Sequence, residues 1–327
     1  MPAYIARIED PSQIAEARRE VRRIAHALDF NEQAAEKAAL VVTEACTNLL
    51  KHATRGQVIA GQVPGCRLLE ILILDSGPGM ADVESSRQDG HSTTGTSGTG
   101  LGAIGRLSSY SEIYSRPGRG TAILVRLAAE AGIPLQPANT GAVQVPKPGE
   151  EVCGDQWGQT AVAGRRVFLL ADGLGHGTDA AIASTAAVDT LYRHPDLALV
   201  DLLAAVHDAL RHTRGAAVAI AEIDAERGTV AFGGLGNVSG IVFSGDAPPR
   251  HMVSTNGTAG VEARHIREFQ YPYPEGATLV LHSDGISTHW NLFDYPGLAA
   301  HDPAIIAGVV YRDFSRGNDD ATIVVAK

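Results

Sequence analysis

The sequence predicts an α+β protein of two domains, and three observations carry that expectation. The chain has 327 residues, more than a single hydrophobic core usually serves. Its first part opens with two stretches of helical period followed by short apolar runs bounded by glycine and polar residues, the pattern of helices packed on a sheet. Its second part holds short β-rich runs with an alanine-rich helical pair inserted among them, which argues for a sandwich of sheets flanked by helices.

In chain order, Asp10-Pro11 followed by apolar Ile14, Ala17, Val21, Ile24, Ala25 and Leu28 predicts a capped amphipathic helix, with proline tolerated in its first turn. A second helix starts after Asn31 and keeps Ala38, Val41, Val42, Ala45 and Leu49 on one face. The apolar run 68–74 ends in Asp-Ser-Gly and reads as a buried strand entering a loop. Residues 81–97 are polar and rich in Gly, Ser and Thr, and are expected to act as a lid. A helix over 103–109 follows, then strands over 111–114 and 121–127 joined by the turn Arg116-Pro-Gly-Arg-Gly120. Prolines and glycines in 128–142 mark a linker, drawn at 129–139 between a domain of residues 1–128 and one of 140–327. Beyond it, strands are expected over 167–171, 216–223, 229–232, 239–243, 277–282 and 322–326, with helices over 179–192 and 197–212.

Composition narrows the function classes. The chain is 44% hydrophobic and 20% charged with a net charge of -10, so no nucleic acid and no anionic membrane are expected as partners. The cluster Arg18, Arg19, Arg22 and Arg23 is flanked by Glu16 and interrupted by Glu20, which reads as a solvated helix face. Cys46, Cys66 and Cys153 are odd in number and lack metal-ligand spacing, pointing to a reducing cytoplasm without a disulfide frame. Neither an apolar leader nor a membrane span is evident, so a cytoplasmic location is expected.

The chemistry concentrates in two sets of residues suited to phosphate. Glu44 and Asn48 are four apart on the second helix and share a face. An amide oxygen can ligate Mg²⁺ without adding charge, and a carboxylate can take a proton from an acceptor hydroxyl; taken alone, the two could also be a solvated polar pair. Asp75 ends a buried strand, where a carboxylate needs a hydrogen-bond donor, and an adenine amino group is one. Gly77 and Gly79 let backbone approach a flat base. The run with Gly98, Gly100 and Gly102 precedes a helix, whose free N-terminal amides bind phosphate.

With Glu44-Ala-Cys-Thr-Asn48, Asp75-Ser-Gly-Pro-Gly-Met80 and Gly98-Thr-Gly-Leu-Gly-Ala103 in this order, residues 1 to about 128 resemble the GHKL ATP-binding family and its Bergerat-type α/β sandwich. The short size and the stretch Gln88-Asp-Gly-His-Ser-Thr-Thr94 are similar to the RsbT-type serine/threonine kinases of bacterial stress signalling. No phospho-acceptor hairpin precedes the ATP motifs, which disfavours a histidine kinase. The resemblance implies ATP as cofactor, Asn48 as a Mg²⁺ ligand, Glu44 as the base, Asp75 as the adenine reader and Thr121 as its support.

In the second half, Asp172-Gly-Leu-Gly-His-Gly177 follows the apolar run 167–171, and Ser283-Asp-Gly285 follows 277–282. Each puts a carboxylate at a strand end beside a glycine whose carbonyl can be approached. Hard divalent cations take oxygen ligands of this kind, and a pair of them can activate water against a phosphate. A lone Asp-Gly is ordinarily a turn; several in one chain at strand ends argue for a site. The series Gly154-Asp155, Asp172-Gly173, Ser283-Asp-Gly-Ile286 and Gly317-Asn-Asp-Asp-Ala-Thr322 resembles the metal-dependent PPM protein phosphatases, an α-β-β-α sandwich family, and within it the bacterial SpoIIE branch in its short RsbX-like form. The resemblance implies Mn²⁺ or Mg²⁺ bridged by Asp172, joined by the Gly173 carbonyl, and completed by Asp155, Asp284 and Asp319, the adjacent Asp320 being able to serve instead of Asp319 through an outer contact. Leu174 stands where eukaryotic members carry a histidine, and His176 takes no assigned role. The turn Gly233-Gly-Leu-Gly-Asn237 also resembles a turn of that family and is expected to lie close to the site but to be structural.

Together these resemblances imply a bifunctional kinase and phosphatase acting on serine or threonine of a STAS-domain phosphoprotein, RsbS/RsbR-like or an anti-sigma antagonist, in stressosome or partner-switching signalling. The alternative is a nucleotide-regulated phosphatase that senses ATP without transferring its phosphate.

Overall fold

The protein is described here by a computed structural model covering residues 3–87, 100–130, 135, 138–245, 247–263 and 265–327. Its elements are β1 (Tyr4–Arg7), α1 (Ser12–Ala27), α2 (Glu32–His52), β2 (Gln57–Gln62), β3 (Leu68–Asp75), α3 (Val83–Arg87), α4 (Gly100–Leu107), β4 (Tyr110–Ser115) and β5 (Thr121–Ala128). They continue with β6 (Thr140–Val145), β7 (Asp155–Val162), β8 (Arg165–Gly173), α5 (Thr178–Arg193), α6 (Leu199–Ala209), β9 (Ala216–Asp224), β10 (Thr229–Leu235) and β11 (Ser239–Phe243). The last are β12 (Arg250–His251), β13 (Phe269–Pro272), β14 (Thr278–His282), α7 (Pro303–Phe314) and β15 (Ala321–Ala326). The chain forms two compact units, Met1–Ala138 with Ala300–Arg312, and Asn139–Ala299 with Asp313–Lys327.

The first unit is built on an antiparallel sheet of order β1-β2-β3-β5-β4. Side chains alternate along its strands, so Ile71 and Ile73 of β3 and Ile123 and Val125 of β5 point to one face. That face buries Val21 and Ile24 of α1 and Val41, Val42, Ala45 and Leu49 of α2 in one core. Asn31 caps α2 by accepting from the Ala34 amide at 2.9 Å, as its sequence position predicts. Helix α4 begins at Gly100, three residues earlier than the expected 103–109, so Gly100 and Gly102 stand in its first turn.

The alternate side chains of the same strands, Ile59, Leu72, Leu74, Ala122 and Leu124, are also buried. On that face lies α7: a Cβ added at Gly308 would stand 2.8 Å from a δ-carbon of Leu72 and 3.0 Å from one of Leu74, so glycine permits the close approach. Asp302 fixes the start of this helix. Its carboxylate accepts from the Ala304 amide at 2.9 Å and from both terminal nitrogens of Arg126 at 2.6 and 2.9 Å. Arg126 also donates to Glu70 at 2.7 Å, and Glu112 accepts from the Asp302 amide at 3.1 Å.

The second unit stacks two antiparallel sheets, β13-β10-β9-β8-β7 and β12-β11-β14-β15-β6. Phe168 and Leu170 of β8, Ala219 of β9 and Phe232 of β10 meet Val242 of β11, Leu279 and Leu281 of β14 and Val324 of β15 between them. The other face of β8, through Val167, Leu169 and Ala171, packs on α5 and α6 through Ala187, Leu191, Leu202, Leu203 and Val206. Strand β6 begins at Thr140. The sequence expectations also omitted β1, β2, β7, β12, β13 and α7.

Candidate functional site

In the first unit, Glu44 and Asn48 occupy neighbouring turns of α2 and both are half-buried. The first turn of α4 lies against the second of them: a Cβ at Gly100 would come within 3.0 Å of both Asn48 amide heavy atoms. One further turn along α2, the His52 carbonyl would stand 3.0 Å from a Cβ at Gly77. The helix thus links the amide of Asn48 to the loop after β3.

Asp75 ends β3 opposite Thr121 of β5. Its Oδ1 accepts from the Gly77 amide at 2.7 Å. Burial raises its pKa, while hydrogen bonds from Gly77 and Thr121 and the charge of Arg312 work the other way. Thr121 Oγ1 lies 2.9 Å from Ser115 Oγ, which in turn accepts from the Met80 amide at 2.8 Å. Two glycines are required by this crowding. At Gly79, with φ 67°, a Cβ would lie 1.9 Å from the Arg116 carbonyl oxygen, and at Gly120, with φ 73°, one would lie 2.0 Å from that of Asp75. Gly102 lies within α4. Gly98 and the stretch 88–97 lie outside the described residues, and of the expected lid only 81–87 is described, including α3.

In the second unit the strand period explains the position of the acidic groups. Phe168 and Leu170 point between the sheets, so two residues on Asp172 points the same way. Asp155 of β7 is its direct cross-strand partner, and Asp155 is fully buried. Ser283, following β14, donates from Oγ to Asp155 Oδ2 at 2.7 Å and accepts from the Thr322 amide at 2.9 Å. The acidic groups therefore close one end of the inter-sheet core. Asp319 Oδ1 accepts from the Asp320 amide at 3.0 Å, and Asp320 Oδ1 accepts from the Lys147 amide at 2.9 Å. Gly173 sits tightly under α5, where a Cβ would be 2.1 Å from the Ala180 carbonyl oxygen.

Electrostatics mark this end of the core as strained. Burial, and then the neighbouring charges of Asp155, Asp284 and Asp319, push the Asp172 pKa well up. Asp155 is likewise raised, first by burial and also by Asp320, against hydrogen bonds from Ser283 and Thr322. Asp155 Oδ1 and Asp320 Oδ2 are buried without a hydrogen-bond partner among the described residues. Facing carboxylates and orphaned oxygens of this kind fit hard divalent cations. Among the described residues no three acidic, histidine or cysteine groups stand together as a set able to hold a metal ion as they are placed.

Asn237 belongs with this set. Its Nδ2 donates to Asp284 Oδ2 at 2.5 Å, so the Gly-rich turn that ends in it lies beside the acidic set, as expected, and also supplies a side chain to it. The asparagine at the end of that run was its only signal in the sequence. His176 is held by Glu150, with Nδ1 2.6 Å from Oε1.

Comparison with known proteins follows the same division. Residues 9–127 match the histidine kinase-like ATPase domain, and residues 163–327 match Stage II sporulation protein E (SpoIIE). A serine/threonine-protein kinase, RsbT of Bacillus subtilis, is 33% identical over 119 residues, 36% of this chain and 90% of the relative. The phosphoserine phosphatase RsbX of the same organism is 24% identical over 144 residues, 44% of this chain and 72% of the relative. A solved structure described as "The bacterial stressosome: a modular system that has been adapted to control secondary messenger signaling" superposes with a TM-score of 0.55 at 25% identity, covering 58% of this chain and 98% of the other. The chain therefore belongs to the SpoIIE family through its second unit, a PPM-type phosphatase domain, and carries a histidine kinase-like ATPase domain of the RsbT kind ahead of it.

Proposed function

We propose that this protein is a bifunctional protein serine/threonine kinase and metal-dependent protein phosphatase that acts on STAS-domain partners in bacterial stress signalling. The observation that carries the phosphatase half is the cross-strand pair of buried Asp155 and half-buried Asp172. Like charges directly opposite on neighbouring strands destabilise a sheet, and a cation between them reverses that sign. Mg²⁺ or Mn²⁺ held by Asp155, Asp172, the Gly173 carbonyl, Asp284 and Asp319 would supply an activated water and neutralise phosphate charge. Ser283 and Asn237 orient two of those carboxylates.

For the kinase half, Asp75 and Thr121 would receive the adenine, the α4 N-terminus with Gly100 and Gly102 the phosphates, and Asn48 the Mg²⁺. Glu44 would take the proton of the acceptor hydroxyl, a role that a pure nucleotide sensor would not need. The named kinase and phosphatase relatives each align with one half of the chain, which supports opposed activities on phosphoserine or phosphothreonine in one molecule. A cytoplasmic location belongs to the same reading.

The test mixes the purified full chain with labelled ATP and a STAS-domain protein, with and without Mn²⁺. Transfer to the partner, and Mn²⁺-dependent removal once ATP is withdrawn, are expected. Removal without transfer would leave the ATP-sensing phosphatase; neither activity would overturn the proposal.

A further inference from the structure

The residues given to the nucleotide site so far all precede residue 122, yet the first unit includes 300–312, and the last residue of that segment reaches the site. Arg312 Nη1 donates to the carbonyl oxygen of Asp75 at 3.1 Å. Gly120 is packed against that same oxygen, so the end of β3 is held from two directions. The Arg312 charge also favours the ionised Asp75 carboxyl, the form that accepts a hydrogen bond from an amino group.

The residues immediately after Arg312 are bound elsewhere. Asp313 accepts from the Tyr295 hydroxyl at 2.8 Å, and the Phe314 ring lies 6.3 Å from those of Trp290 and Tyr295. The Phe314 carbonyl accepts from the Ser287 amide at 2.9 Å, and the Arg316 amide donates to the Gly285 carbonyl at 2.9 Å. Ser315 pairs with Ile286. Gly285, Ile286 and Ser287 directly follow Asp284. A Cβ at Gly285 would lie 1.9 Å from the Asp320 carbonyl oxygen, so this backbone has little room to shift alone. A continuous run, 312–316, is therefore fastened to Asp75 at its start and to the backbone beside Asp284 along the rest.

We infer that Arg312 is a positioning residue of the nucleotide site, and that the run 312–316 couples nucleotide binding to metal binding at Asp284. This rests on the function proposed above and names its regulation. A base engaging Asp75 acts on the strand end that Arg312 holds, and a displacement of Arg312 passes along the last turn of α7 to Phe314 and Arg316, which are hydrogen-bonded to Ser287 and Gly285. Coupling between two binding sites is reciprocal and is typically about 5- to 150-fold.

The test uses the full chain. Hydrolysis of an aryl phosphate is followed against free Mn²⁺, at constant Mg²⁺, with and without a non-hydrolysable ATP analogue whose binding is measured by calorimetry. The wild type is expected to shift its half-maximal Mn²⁺ concentration at least about fivefold when the analogue is bound. Arg312→Gln should bring that shift close to onefold, and Arg312→Lys, which keeps a cationic donor, should restore part of it. An analogue that binds and produces no shift overturns the coupling; an undiminished shift in Arg312→Gln overturns the part given to Arg312. No analogue binding by the wild type would instead refute the nucleotide site, and this inference with it. Should Arg312→Gln fail to fold, hydrogen exchange of peptides spanning 283–287 in the wild type decides: a change on adding the analogue supports coupling, and identical exchange overturns it.

Discussion

Asp155 and Asp172 could not face each other across a ladder if both stayed ionised without a counter-charge. That makes the acidic set the most sensitive point of the second unit. Asp172→Ala and Asp284→Ala are each expected to lower Mn²⁺-dependent hydrolysis of an aryl phosphate below about a tenth of the wild-type rate, while the first unit still binds the ATP analogue. Retention of more than that in both variants would remove these residues from the chemistry. Asn237→Ala frees Asp284 to rotate, and loss of such a supporting contact typically weakens metal binding about 10- to 100-fold; a metal titration of activity measures it. In the first unit, Asn48→Ala should weaken Mg-ATP binding. Glu44→Ala should spare binding and slow transfer about 10²- to 10⁴-fold, and undiminished transfer would take the base role from Glu44. The Asp-Gly pairs were legible because each follows an apolar run and the strand period fixes which way its carboxylate points. Asn237 was not, since its partner lies 47 residues away and no local pattern encodes that pairing. Arg312 gave no signal at all for the same reason.

Among elements, α7 shows where periodicity fails. Pro303-Ala-Ile-Ile-Ala-Gly-Val-Val310 is buried without interruption, so it has no polar stripe from which a helix could be told from a strand. Strand β7 escaped notice because Trp157, Gly158, Gln159 and Thr160 do not form an apolar run; its burial is decided by β8 beside it. The cap of α7 carries a stability prediction. Asp302→Ala leaves Arg126, whose side chain is 2% exposed, with Glu70 as its one remaining carboxylate, and breaking a buried pair from one side costs up to roughly 3–5 kcal/mol. Asp302→Asn, which can still accept from Ala304 and Arg126, should lose less, as urea midpoints would show. At the end of β14, His282 Nδ1 lies 2.9 Å from the Ser283 carbonyl oxygen, which can only accept, so Nδ1 carries the proton. Burial holds its pKa down to about 4, against 6.5 ordinarily. Between those values the unfolded chain takes up a proton that the folded chain refuses. Stability is therefore fully present above pH 6.5 and declines as pH falls toward 4, by at most about 3 kcal/mol. His282→Gln should flatten this dependence in urea unfolding between pH 7 and pH 4.5; an unchanged slope would show that other groups set it.

For the whole molecule, the sequence order and the spatial order differ. A chain read from its motifs divides once, near residue 130, whereas the first unit takes back 300–312 from beyond the metal-site strands. Ile59, Leu72, Leu74 and Leu124 stay buried in the completed unit, and Arg126, paired with Glu70, finds its second carboxylate partner in that returning segment. During synthesis the first unit cannot be finished until residue 312 has been made, so the kinase half depends on a chain that includes most of the phosphatase half. The prediction is that residues 1–138 expressed alone will aggregate or melt well below the same residues joined by a flexible linker to 300–314. The exposed sheet face is the physical cause, since uncovered apolar area and an arginine left with one of its two carboxylates both favour association or unfolding. Thermal unfolding with light scattering compares the two forms, and substituting Gly308→Leu in the joined one should undo the gain, because a side chain there meets Leu72 and Leu74. A monomeric 1–138 fragment as stable as the joined form would show that the sheet face tolerates water and that the returning helix serves communication rather than folding.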